Sequence, residues 1–387
     1  LTSVYDVVIG GGSVGGLSFA SEAASLGLKV LVLEEDPSIG EPEKCDGLVS
    51  MKAMGRYMPP EAGCIQSRVK RGTVFAPSGS SASLDASKLE VVVIDRSAYE
   101  EQLAETAVSR GAKVVTSSRV TVTEPSEDGM KVVAAGSEAY RCSYYVDATG
   151  PSGIIKRNRG GLMPAAKYEL QGDWFQDGDV EVYLDQEKYP GFFAWVIPRG
   201  DGIAKVGAAG FGINSFKALD AFISGKDCKV LTRVAAPIYV GGPVEEFVTG
   251  RTLLVGESAG QVKPTTAGGI MGSVAAGMMA AKWVAESMRE KDTALLANYQ
   301  RDWEARFGTE FRTMRRLRRI FEGLSNKDME SIVATLSSKR ISERLARTDF
   351  DFHATALLST LGVRGTLQLA GVLFSAEARQ ALSSLVQ

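Results

Sequence analysis

The stretch that most limits the fold is Tyr5–Ile9, a short apolar run, followed at once by Gly10-Gly-Gly-Ser13-Val-Gly15-Gly16. Leu17–Leu26 then carries small and apolar residues at helical spacing. Gly27 reads as the residue that ends the helix, and Lys29–Leu33 as a second strand with Glu34 at its end. Strand, glycine turn, helix and strand within about 30 residues make a βαβ unit of the Rossmann type. The glycines have separate tasks: a tight turn, close approach of backbone to a pyrophosphate, and close packing of helix on strand. The helix N-terminus presents free N–H groups to phosphate oxygens. Gly10, Gly12, Ser13 and Gly15 are therefore expected at the phosphates. Glu34, with Glu35 beside it, is placed to accept hydrogen bonds from a ribose diol, and its charge disfavours a 2′-phosphate. This unit alone does not separate NAD from FAD.

Along the rest of the chain, Val91–Ile94 reads as a strand and Ser97–Arg110 as a helix. Lys113–Val115, Val120–Val122, Val132–Ala135 and Tyr144–Val146 read as further strands, the last running into Asp147-Ala148-Thr-Gly150. From about Tyr168 to Ala209 strands punctuated by Gly and Pro predict an antiparallel sheet. Thr252–Val255 returns to the first pattern, with Gly256-Glu257-Ser-Ala-Gly260 behind it and a helix starting near Gly269. Everything from about Thr293 reads as helix. The expected class is α/β. A Rossmann-type domain is split into 1–165, with a loop-rich excursion at about 37–90, and 246–290. A sheet domain for substrate is inserted at 166–245, and a helical region follows at 291–387.

Composition removes several chemistries. The 387 residues include one histidine, His353, which excludes a multi-histidine metal site or a Ser-His-Asp triad; no metal is expected. Cys45, Cys64, Cys142 and Cys228 match no zinc spacing and predict reduced thiols in a cytoplasmic protein, with a Cys45–Cys64 disulfide the one pairing to consider. A net charge of −2 gives no global pull toward nucleic acid. The chain opens into a strand without a signal peptide pattern, and the apolar run Gly268–Ala281 is too short to span a bilayer.

Arg96 in Asp95-Arg-Ser-Ala-Tyr99, then Asp147–Gly150, then Leu254-Val-Gly256-Glu257-Ser-Ala-Gly260 follow the order found in flavoproteins of the para-hydroxybenzoate hydroxylase superfamily, which the chain resembles. The resemblance implies FAD, with contacts from Arg96, Ala148, Gly150, Gly256 and Glu257; where the family usually has Gly-Asp at the ribityl chain, this chain has Gly256-Glu257. Pro264-Thr-Thr-Ala-Gly268-Gly269 opens a helix at Ile270, and Gly268, Gly269 and Ile270 are suited to meet the negative charge that reduced flavin carries at its N1–C2=O edge.

Lys44-Cys45-Asp46-Gly47-Leu-Val-Ser50, Gly191-Phe-Phe193-Ala-Trp195-Val-Ile-Pro198-Arg199 and the Pro264–Gly269 turn together resemble the geranylgeranyl reductases, above all the archaeal enzymes that saturate isoprenoid chains of membrane lipids. The likeness covers about Tyr5 to Ala285. Cys45 and Ser50 match the family's cysteine segment, whereas Asp46 and Gly47 are exchanged relative to it. The resemblance implies a prenyl lipid substrate, Cys45 and Gly47 beside the flavin, and Phe193, Trp195, Pro198 and Pro264 at the substrate. Trp195 as plain core and Cys45 as a structural thiol are the alternatives. An isolated alkene is not polarised, so hydride delivery to one carbon needs a proton for the other; with no histidine nearby the donor is Cys45, a tyrosine, a carboxylate or water, and Cys45 is the candidate catalytic residue. The electron donor is NAD(P)H or a protein such as ferredoxin, since no second Gly-x-Gly-x-x-Gly unit follows.

Other readings stand beside this one. The superfamily includes monooxygenases and halogenases, and Trp195-Val-Ile-Pro198 resembles part of a halogenase motif. A flavoprotein that binds a prenyl lipid without reducing it is the non-enzymatic alternative. In the basic segment Phe311–Phe321 the residues Phe307, Phe311, Met314, Leu317 and Phe321 share one helical face. Its arginines either touch anionic lipid headgroups, giving peripheral contact at the inner face of a membrane, or pair with Glu304, Glu310 and Glu322.

Overall fold

The computed structural model describes residues 4–152, 161–235, 237–338, 343 and 350–351. The strand Val4–Gly10 is the centre of an eight-stranded sheet, flanked in parallel by Ala139–Asp147 and Val30–Leu33, with Thr252–Leu254 and Lys113–Val115 outside them. The hairpin Val120–Ser126 with Gly129–Ala134 adds antiparallel to Ala139–Asp147. Parallel strands covered on both faces need continuous apolar runs, and Val7, Val8, Ile9 and Val30–Leu33 are all buried.

Two helices lie on one face of this sheet, Val14–Ser25 and the long helix Ile270–Glu290. They meet backbone to backbone: a Cβ on Gly277 would lie 2.5 Å from the Gly15 carbonyl oxygen and 2.9 Å from the Phe19 nitrogen. Ala280 and Ala281, one turn on from Gly277, are fully buried.

A seven-stranded sheet stands over the first. Its order runs Cys228–Ala235, Ala165–Gly172, Ile203–Ala209, Ala194–Gly200, Asp179–Tyr183, Arg71–Phe75, Ser81–Asp85. Alternation gives it two faces. Ala166, Tyr168, Leu170, Val196, Val206 and Ala208 pack on the helix Ser215–Ile223. Lys167, Lys205, Trp195, Ile197, Val180 and Val182 have the opposite parity and look toward the first layer, across a cavity.

The loop-rich excursion expected at residues 37–90 of the first domain is not what forms. Instead, Arg71–Phe75 and Ser81–Asp85 complete the seven-stranded sheet, through a parallel pairing with Asp179–Tyr183. Leu48–Ser50 and Ile65–Arg68 pair with Val91–Ile94 in a three-stranded sheet between the two layers. Helices run from Thr293 to Leu336, including the basic helix Thr309–Glu322. The rest of the expected helical region, with His353, lies outside the described residues.

Candidate functional site

The first glycine turn is built as expected, with one shift in which glycine does what. Gly11, at φ +103°, makes the turn, and a Cβ there would run into the Ala148 backbone. Gly10 ends its strand beneath the Tyr145 hydroxyl and does not line the cavity. A Cβ on Gly12 would sit 2.8 Å from the Ile39 side chain and 3.2 Å from Glu34 Oε2. Glu34 is held at the cavity wall by the Gly12 N–H (2.5 Å) and the Asp36 N–H (2.9 Å).

At the N-terminus of the first helix the Ser13 hydroxyl donates to Glu100, and so does the Val14 N–H at 3.1 Å. The Arg96 guanidinium bonds Ser13 Oγ at 2.9 Å and pairs with Glu100, four residues on along the same helix. Its Nε is buried with no partner. An unsatisfied buried guanidinium N–H beside a helix N-terminus is a receptor for an anion such as a pyrophosphate. Glu100 is not among the residues the motifs point to; its i,i+4 spacing from Arg96 is the signal that marks it.

Asp147 joins the two halves of this domain. Its Oδ1 accepts from the Thr149 N–H (3.0 Å), the Thr149 hydroxyl (2.7 Å) and the Ser258 hydroxyl (3.0 Å). The Gly150 N–H donates to Ser258 Oγ at 3.0 Å, so Ala148, Gly150, Gly256 and Glu257 are brought to one wall. Glu257 Oε1 accepts the Tyr239 N–H at 3.0 Å, which ties it to the strand Ile238–Tyr239.

The turn ahead of the long helix closes the next side. The Lys263 N–H donates to the Gly268 carbonyl (3.0 Å), the Ala267 N–H to the Lys263 carbonyl (2.9 Å), and Ala267 takes φ +56°. Gly268, Gly269 and Ile270 line the cavity, and the long helix has no side-chain cap at Gly269. Pro264 is buried away from the cavity, near Gly242.

The Cys45 segment faces this turn across the cavity. Two lysines from the seven-stranded sheet hold it. Lys167 Nζ bonds Glu43 Oε2 and the Cys45 carbonyl, both at 3.0 Å. Lys205 Nζ bonds Glu43 Oε1 at 2.8 Å and the Ile94 carbonyl at 3.2 Å. Burial works to raise the Glu43 carboxyl, but the Lys205 and Lys167 ammoniums outweigh it and hold it low. Burial raises the Asp46 carboxyl above the ordinary value in spite of the same lysines. The Gly47 N–H lies 3.5 Å from Cys45 Sγ, and Gly47 needs its φ of +77° because a Cβ would strike the Ile94 carbonyl. All four cysteines are free, so Cys45 and Cys64 form no disulfide.

The remaining wall is apolar. The Trp195 ring lies across Gly207, where any Cβ would collide with it, so Trp195 faces the cavity rather than the core of its sheet. Phe193 stacks on Phe192 at 4.0 Å between centroids, and both line the cavity with Val180, Val182 and Ile197. Pro198 does not: it is buried in its strand, its carbonyl accepting from the Ser67 hydroxyl at 2.9 Å. The whole cavity holds about 1410 Å³. It unites Gly12, Ser13, Gly15, Glu34, Glu35, Arg96, the Cys45–Gly47 loop and the aromatic wall. Among the described residues no cluster could hold a metal ion.

Comparison with known proteins places this architecture. Residues 6–171 match the lycopene cyclase protein family model. Digeranylgeranylglycerophospholipid reductase 1 of Methanopyrus kandleri is 30% identical over 370 residues, covering 89% of this chain and 97% of the relative. A geranylgeranyl bacteriochlorophyll reductase-like structure from Thermoplasma acidophilum superposes with a TM-score of 0.84 at 22% identity, over 96% of this chain and 99% of the other. A flavin-dependent brominase shares the fold at a TM-score of 0.68 and 15% identity, over 99% of each chain. With the sequence identity and the coverage in agreement, the chain belongs to the digeranylgeranylglycerophospholipid reductase family.

Proposed function

We propose that this protein is an FAD-dependent reductase that saturates isoprenoid double bonds of a prenyl lipid. The observation that carries the reading is a single cavity with two chemistries, a glycine-rich polar end with an anion receptor and an apolar aromatic arm, meeting at the Cys45 loop.

The residues fit the cofactor. Gly11 and Gly12 let the turn pack against Ala148, Ile39 and Glu34 with the Gly12 backbone at the cavity, the orphaned Arg96 Nε awaits an acceptor, and Glu34 stands at the end of its strand for the ribose. Ala148, Gly150, Gly256 and Glu257 would flank the ribityl chain, and Gly268, Gly269 and Ile270 the N1–C2=O edge. FAD in its reduced form supplies a hydride. The chain supplies the rest. Trp195, Phe193 and the valines of the sheet exclude water from the alkene and align it. Cys45 is held at the junction through its own carbonyl by Lys167, where its thiol can give the proton the second carbon requires.

The brominase likeness keeps oxygen-dependent chemistry as the second reading. Of the lysines at the cavity, Lys167 is committed to Glu43 and the Cys45 carbonyl, which gives it a structural task.

The test reduces the purified holoprotein with dithionite in the absence of oxygen, then adds a geranylgeranyl lipid and follows flavin absorbance and lipid mass. Dithionite bypasses the question of whether NAD(P)H or a protein such as ferredoxin is the donor. Anaerobic reoxidation with a gain of two hydrogens per turnover is expected. Flavin that stays reduced until oxygen enters would remove the prenyl reductase reading for this substrate.

A further inference from the structure

Lys263 is buried, with 8% of its side chain exposed, and forms a 3.0 Å ion pair with Asp351, whose side chain is 5% exposed. Its ammonium also sits 4.4 Å from the centroid of the Phe350 ring, and Phe350 lines the cavity. On the other side Nζ lies 3.0 Å from the point a Cβ on Gly268 would occupy, at the open N-terminus of the long helix. So a nearly buried ammonium, ion-paired to Asp351, stands against the glycine turn and itself lines the cavity. Neither the glycine motif nor the Cys45 segment requires it. A neutral residue of the same length would fill the space without the several kcal/mol that desolvating an ion costs.

We propose that Lys263 is the charge that stabilises the reduced flavin, and that Asp351 tunes it as counter-ion. This rests on the cofactor reading above, in which Gly268 and Gly269 meet the N1–C2=O edge. Reduction places negative charge at that edge. An ammonium one residue's thickness away, in a medium of low dielectric, favours the reduced form, and the helix N-terminus adds to it. Before reduction Asp351 satisfies the ammonium, so the buried charge is tolerated while the site waits. Asp351 comes from the chain beyond the helix Asn326–Leu336, so the end of the described chain supplies the counter-charge to the cofactor turn.

The signature is a pair of opposite shifts. Holoprotein, Lys263→Met and Asp351→Asn would be titrated anaerobically against a reference dye to obtain the flavin midpoint potential. Lys263→Met is expected to weaken the reduced form relative to the oxidised form about tenfold, which for a two-electron couple is a fall of ~30 mV. Asp351→Asn, which frees the ammonium, is expected to raise the potential by a similar step, and Lys263→Arg to hold it near wild type. Unchanged potentials in flavin-loaded variants, or shifts of one sign in both, would overturn the assignment and leave the cofactor reading intact. A wild-type protein that takes up no FAD would overturn both. Asp351→Asn removes no buried volume, so it still reads the charge if Lys263→Met fails to fold.

Discussion

Glu43 and Asp46 lie three residues apart, share two lysine neighbours and titrate in opposite directions. Glu43 is held below its ordinary value of 4.5, the lysine charges prevailing over burial, so the folded chain binds fewer protons there than the unfolded chain. Its contribution to stability is present above that value and is lost as pH falls through the lower folded pKa. Asp46 is held above its ordinary value of 3.8 by burial, with one carboxylate oxygen enclosed and unpartnered. It binds its proton more tightly when folded, so stability declines as pH rises from 3.8 through the raised value. Asp46→Asn removes this second dependence. Urea unfolding from about pH 4 to 7 should show a flatter profile than wild type and no loss of stability at neutral pH. A variant weakened at neutral pH would mean that the ionised Asp46 makes a bond the fold depends on. None of this was visible in the segment Lys44–Ser50, because burial next to two lysines depends on strands more than a hundred residues away.

The elements themselves were legible where a local rule governed them. The first βαβ unit follows from glycine conformation and apolar runs, and Val91–Ile94, Lys113–Val115 and the start of the long helix fall where the pattern put them. Arg71–Phe75 and Ser81–Asp85 pair with each other as a local hairpin, but its place in the seven-stranded sheet was not legible, because Arg71–Phe75 joins Asp179–Tyr183 a hundred residues on and no local signal encodes a parallel pairing across that distance. The basic helix shows a different limit. Its apolar face was legible, but Phe307, Phe311 and Met314 are buried, with Phe307 and Phe311 packed on Trp303, so that face is already used and cannot enter lipid. Arg318 pairs with Glu322, whereas Arg312, Arg315, Arg316 and Arg319 are exposed and join no salt bridge among the described residues. No helix among the described residues is long and apolar enough to cross a membrane. Membrane contact through this helix is therefore a proposal of surface charge alone. At ~1 kcal/mol per arginine near an anionic surface, replacing Arg312, Arg315 and Arg316 by Gln should weaken binding to anionic vesicles about 100-fold. Cosedimentation with anionic and neutral vesicles at low and high salt measures it; equal binding to both would count against the contact.

At the scale of the molecule, the question is what keeps the seven-stranded sheet in place over the cofactor side, since the cavity between them removes much of the packing that two layers normally share. The apolar packing of Val69, Val91 and Val93 on Ile197 is part of the answer, and the Glu43 clamp is its polar part. One carboxylate from the loop of the first layer engages two ammoniums from neighbouring strands of the second, and Lys167 carries the link on to Cys45. The consequences of breaking it are unequal. Glu43→Gln removes the carboxylate that both lysines bond, their side chains being 3% and 0% exposed, and leaves only the buried Asp46 carboxyl beside them. Breaking a buried pair from one side costs about 3–5 kcal/mol. Lys205→Met leaves Glu43, 22% exposed, with Lys167 still bonded and water within reach, so its cost should be smaller, about 1–3 kcal/mol. Urea denaturation of both variants tests the order. If the clamp also sets the Cys45 loop, Glu43→Gln should lose flavin and prenyl reduction at denaturant-free conditions where Lys205→Met, still tied through Lys167, retains most of both. Equal loss from the two would assign the clamp to stability and leave the position of Cys45 to Gly47 and the Ile94 strand.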